Sequence, residues 1–246
     1  MGYTNSSLVT YKRLTTNKTS PRNHKIDTIT IHCIVGQWTA KQGCDYFATT
    51  DRQCSSNYLV GKDGSIGLSV EEKDRAWTSG GTDKNGKPIR VNGISGADND
   101  HRAVTIEVAS DTTEPYAITD AAYKALVKLV ADICKRNDIK ELKWKGDKSL
   151  VGQVDKQNMT VHRWFANKSC PGTHLYNKHS QIATDVNKML NPKAETGAEI
   201  VKELINKHGV KIYEKERAIK AVDGAKNHST FNSLYWILYK LVNGNE

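Results

Sequence analysis

The chain has 246 residues, 37% of them hydrophobic, and a formal net charge of +9, which suits one well-buried core with a small appendage and points to a polyanionic partner. Its apolar runs are a few residues long, far short of the roughly 18 to 20 a membrane helix needs, and the polar start "MGYTNSSLVTYKRL" carries no signal peptide, so synthesis is expected to end in the cytosol. Five cysteines, Cys33, Cys44, Cys54, Cys134 and Cys170, stand at irregular spacing without a CxxC pair, which excludes a disulfide scaffold and leaves thiols for packing, metal binding or catalysis.

Taken in order, "IDTITIHCIVG" (26–36) is β-branched and alternating and predicts a strand. "NYLVGKDGSIGLSV" (57–70) reads as two short strands around an Asp-Gly turn, and "HRAVTIEVAS" (101–110) as another strand. Cys44 and Cys54 are expected to flank a helix. "ITDAAYKALVKLVADICKRN" (118–137) has apolar residues at helical spacing, with Thr119 or Asp120 as N-cap and basic residues in its last turn. "KELKWKGDK" (140–148) reads as an exposed face, and "LYNKHSQIATDVNKML" (175–190) as a second amphipathic helix. Strands interleaved with helices predict an α/β fold, a central mixed sheet flanked by helices. At "NPKAETG" (191–197) the texture changes to a linker. Residues 198–246 then read as a small mainly helical domain whose Phe231, Tyr235, Trp236 and Tyr239 form its core or a binding or self-association face.

Chemistry concentrates in "MTVHRWFANKSCPG" (159–172). His162 and Cys170 there, with His32 on the first long strand, are donors suited to zinc, but their spacing is not that of a zinc finger. The residues alone leave other readings open. His32 suits a hydrogen-bonded core histidine, Cys170 a small buried side chain, and Cys170 with His162 as base a thiol nucleophile. Glu107 sits among apolar neighbours in "VTIEVA", an odd place for a solvated carboxylate. Cys33 follows His32 and therefore points to the other face of its strand. His174 and His179 lack the i, i+4 spacing of paired helix ligands and read as solvated or capping.

The blocks "TITIHCIVGQ", "SSNYLVGKDGSI", "DRAWTSG", "RAVTIEVASD" and "TVHRWFANKSCPG", in that order, resemble the type-2 N-acetylmuramoyl-L-alanine amidases. That zinc family includes phage lysozyme-type amidases and the peptidoglycan recognition proteins. The resemblance, over most of 26–190, implies a mixed sheet flanked by helices with Zn2+ at the floor of an open groove. By position it makes His32, His162 and Cys170 the zinc ligands, Glu107 the acid/base and Lys168 the cation that stabilises the oxyanion. Trp77 and Asn57 are carried over as substrate contacts. Where many relatives have Tyr or His, this chain has Ser56 and Asn57, which shifts the acid/base role to Glu107 and leaves Tyr58 to the core. Where they often have Trp-His, it has Trp77-Thr78.

What the resemblance implies is cleavage of bacterial peptidoglycan between N-acetylmuramic acid and L-alanine. A basic catalytic domain (1–190) with a small tail resembles a phage or prophage endolysin, reaching the wall through a separate pore and drawn to anionic wall polymers. The tail would target the wall or form homo-oligomers. Other classes remain: a bacterial autolysin with the same chemistry, or a peptidoglycan-binding protein that does not cut, against which the retained ligands speak. Nucleic acid is set aside for want of a groove-reading motif, and no membrane partner is expected.

Overall fold

A computed structural model describes residues 3–191 of the chain. The expected linker from residue 192 and the expected helical domain at 198–246 lie outside the described residues.

Two short strands, β1 (Tyr11–Lys12) and β2 (Lys18–Thr19), precede the long strand β3 (Thr28–Cys33). Helix α1 (Ala40–Thr49) opens on a capping box between Thr39 and Gln42, which satisfies its first free amides. The hairpin expected around Asp63-Gly64 is present as β4 (Tyr58–Val60) and β5 (Ile66–Leu68), antiparallel, with Gly64 at φ +82° in the turn. Then come β6 (Arg75–Ala76), β7 (Arg90–Val91), β8 (Ile94–Ser95), α2 (Gly96–Arg102) and β9 (Ala103–Val108). Helix α3 (Asp120–Arg136) is capped by Thr119, and β10 (Met159–Thr160) leads through a single 3-10 turn towards α4 (Gly172–Leu190).

The main sheet runs β1-β5-β4-β9-β3-β10, mixed as expected, with β4, β9, β3 and β10 parallel to one another. Its centre is the pairing of β3 with β9, Ile29 against Val104, Ile31 against Ile106 and His32 against Glu107. Because side chains alternate along a strand, the two strands share an apolar face and a polar one. Ile29, Ile31, Cys33, Val104, Ile106 and Val108 pack into the core under α3 and α4, as anticipated for Cys33. Thr30, His32, Thr105 and Glu107 look the other way. That face is covered too. All six residues of β3 are buried, so its alternation separates an apolar core from a buried polar layer rather than from water.

Several local expectations are corrected by these contacts. Cys44 lies inside α1, fully buried, instead of flanking it; the helix needs a small apolar side chain against β5. In 140–148 the charged residues are largely outward, but Leu142 is core and Trp144 stacks on Trp164 at 5.3 Å, because this loop folds back over α4. His179 is not solvated: it is wholly buried, Nδ1 2.7 Å from the Leu175 carbonyl oxygen and its ring 4.5 Å from that of Trp144.

Candidate metal centre

The site lies where β3, β9 and β10 end. Register supplies the first contact: β3 and β9 set His32 beside Glu107, with Nδ1 4.0 Å from Oε1. β10 pairs with β3 so that Thr160 faces Thr30, and two residues further along each chain bring His162 to His32, ring centroids 5.1 Å apart. The loop after His162 then doubles back. Arg163 ties it, its amide and guanidinium both donating to the Cys170 carbonyl oxygen, and Cys170 Sγ comes to 3.4 Å from His32 Nδ1. Gly172 ends the loop at φ +80°, where a Cβ would sit 2.7 Å from the Tyr116 ring.

One donor atom each from His32, His162 and Cys170 lies within 4.8 Å of the others. Among the described residues this is the one group of three or more such side chains placed to hold a metal. Zn–N bonds near 2.0 Å and a Zn–S bond near 2.3 Å put N and S about 3.5 Å apart in a tetrahedron, close to the 3.4 Å between Nδ1 and Sγ. His162 Nε2 and Glu107 Oε2 are buried with no hydrogen-bond partner among the described residues. A buried polar atom without a partner is costly, and a cation between these groups would meet that need.

Electrostatics agree with the geometry. Burial, then the neighbouring His162, holds the His32 imidazole well below its usual range; burial also lowers His162 against an opposing hydrogen bond to the Gly80 backbone. Both rings are therefore neutral at pH 7, as metal ligands must be. The Cys33 thiol and burial push Cys170 well up, so without a cation it stays a thiol, which speaks against a thiolate–imidazolium nucleophile. Glu107 is raised to about 8, by burial first and by Cys33 second.

The other expected contacts divide. Lys168 is exposed on the loop between His162 and Cys170, near enough that its charge lowers His162. Trp77 is half-buried, its indole N–H donating to Thr19 Oγ1 at 2.9 Å. Asn57 is corrected. Fully buried, it accepts from the Thr105 amide and hydroxyl through Oδ1 and donates from Nδ2 to the carbonyls of Val70, Glu71 and Asp74. It staples β4 to β9 and to the 70–74 turn, with no atom left for substrate.

A family model described as N-acetylmuramoyl-L-alanine amidase matches residues 22–173, more than half of the chain and the whole of this site. The chain belongs to the N-acetylmuramoyl-L-alanine amidase family. No curated protein sequence matches this amidase. Among solved structures it is similar to a selenomethionine derivative of AmpD, 18% identical, covering 74% of this chain and 99% of that one with a TM-score of 0.52. A mutant endolysin from Bacillus subtilis (17% identical, 72% and 99% covered, TM-score 0.48) and PlyL (14%, 73% and 95%, 0.45) are more distant. At such identities the AmpD likeness is one of fold, and it extends to the mixed sheet and helices that frame the amidase site.

The amidase also has two polar residues at its centre that the sequence did not single out, Ser79 and Asp100. Ser79 Oγ lies 3.4 Å from His32 Nε2, and Asp100 Oδ2 accepts from the amides of Thr78 and Ser79 at 2.8 Å each. Their one signal was "TSG" after Trp77, where the family resemblance breaks.

Proposed function

We propose that this N-acetylmuramoyl-L-alanine amidase is a zinc hydrolase of bacterial peptidoglycan that serves as an endolysin. The observation carrying the zinc reading is the convergence of two neutral imidazoles and a thiol beside a buried carboxyl. Zinc held by His32, His162 and Cys170 would act as a Lewis acid and lower the pKa of water to about 7. Glu107, in register with His32, takes the proton of the attacking water and returns it to the leaving L-alanine amine. Its burial, which disfavours the charged carboxylate, favours the return of that proton to the amine. Lys168 sets an ammonium beside His162, where the oxyanion develops, and Trp77 lines the groove.

The charge of +9 favours a wall rich in anionic polymers, and residues 198–246, beyond the family match, supply the targeting or oligomerising module of an endolysin. Among the described residues no helix is long and apolar enough to cross a membrane; as an endolysin the protein would reach the wall through a separate pore.

The test joins metal analysis to mass spectrometry of digested wall. One zinc per chain is expected, with new L-alanine amino termini and no new reducing sugars. Chelation should abolish cleavage and zinc restore it. Cleavage that survives chelation but not a thiol-blocking reagent would replace the zinc reading with a Cys170 nucleophile. For the endolysin role, cells making the protein should lyse only when a pore-former is made with it. Deleting 198–246 should lower sedimentation with purified walls; unchanged sedimentation removes the targeting role.

A further inference from the structure

His32 has no exposed surface, and its two ring nitrogens face different surroundings. Nδ1 looks into the metal centre, 3.4 Å from Cys170 Sγ and 4.0 Å from Glu107 Oε1, while Nε2 looks away, 3.4 Å from Ser79 Oγ. A neutral imidazole carries one N–H, and a metal ligand must present the bare nitrogen. Whatever accepts from Nε2–H therefore decides whether Nδ1 is free to ligate.

We propose that Ser79 is a positioning residue for the metal centre: its buried hydroxyl accepts from His32 Nε2–H and, backed by Asp100, fixes the tautomer whose Nδ1 faces Cys170. The proposal rests on the zinc reading above. Ser79 is itself fully buried, and its backbone is held from two sides. Asp100 Oδ2 takes the amides of both Thr78 and Ser79 at 2.8 Å. Asp100 stands on α2, whose first residue, Gly96, lies so close that a Cβ there would be 2.0 Å from the Ser79 carbonyl oxygen. Glycine is what lets the helix start there.

The direction of the relay follows from proton accounting. If Ser79 Oγ accepts a hydrogen bond from Nε2–H, its own hydroxyl proton needs an acceptor. Asp100 Oδ1 is buried and without a partner among the described residues, and the other oxygen of that carboxylate already takes the Ser79 amide at 2.8 Å. The order Asp100, Ser79, His32, metal is a hydroxyl-bridged form of the carboxylate that commonly supports a metal-bound histidine.

Two measurements test it. Zinc affinity of the full chain, by competition with a chromophoric chelator, should fall 10- to 100-fold in Ser79→Ala, the usual cost of losing such a support, while Ser79→Thr, which keeps the hydroxyl, should recover much of it. Imidazole 15N shifts of the metal-free wild-type protein should show His32 protonated at Nε2 and bare at Nδ1; this needs no variant to fold. Wild-type affinity in Ser79→Ala, or His32 protonated at Nδ1, overturns the relay. A wild-type chain that takes no zinc overturns the zinc reading instead, and the tautomer still judges the hydrogen bond.

Discussion

Glu107→Gln tests both halves of the site, because the carboxyl that makes the chemistry is held where its charge is unwelcome. Only 14% of its side chain is exposed, and burial with Cys33 nearby raises its pKa from 4.5 to about 8. A rise of that size corresponds to at most about 5 kcal/mol. The sign follows from linkage: a group whose folded pKa is raised contributes stability fully present below about 4.5 and lost as pH rises through about 8. Metal-stripped wild-type protein should thus lose stability in urea between pH 5 and pH 9. The Gln variant, neutral throughout, should equal it at pH 5 and exceed it at pH 9 by up to that amount, with other titrating groups cancelling in the difference. Loaded with zinc, the same variant should release soluble wall fragments about 10²- to 10⁴-fold more slowly, the usual worth of a general acid–base. Parallel pH curves for variant and wild type would refute the buried, high-pKa carboxyl. Activity within a few-fold of wild type would refute its catalytic role.

Asn57→Ala should cost about 1–3 kcal/mol for each buried partner left unpaired and lower the unfolding midpoint, while KM on a soluble muropeptide stays unchanged; a raised KM at constant stability would return Asn57 to the substrate. Asp100, wholly buried, is raised by burial from 3.8 to about 6, so its contribution is present below about 3.8 and lost as pH rises through about 6. Asp100→Asn should flatten that loss, worth at most about 3 kcal/mol, and differential scanning calorimetry from pH 4 to 8 should show it; an unchanged slope would contradict the buried charge. Gly172→Ala forces a Cβ to 2.7 Å from Tyr116 at φ +80°. Strain of about 2 kcal/mol would lower the thermal midpoint by about 4–8 °C, and because Cys170 is two residues away, zinc affinity should fall with it; a neutral variant would show the loop to be pliable.

Local chemistry in the sequence determined the elements. The Thr119 cap with its helical apolar stripe gave α3, the Asp63-Gly64 turn gave the hairpin, and alternation in "TITIHC" gave a strand with His32 and Cys33 on opposite faces. Each depends on residues a few positions apart, so neighbours in the chain suffice. The ligand set His32, His162 and Cys170 was nameable only through family resemblance, since 130 and more residues separate its first member from the others and no periodicity links them. Tertiary structure decided what depends on register and on what lies above a face. Pairing β3 with β9 in one register puts His32 beside Glu107, and a slip of one residue would leave the two on opposite faces. Covering the polar face made Asn57 a staple, and the 140–148 loop folded over α4 buried His179, although both are residue types that usually meet water. The pairing of Ser79 with His32 and Asp100 rests on Gly96 allowing a helix to touch a loop 17 residues behind it in sequence, a contact between backbones that no side-chain pattern records.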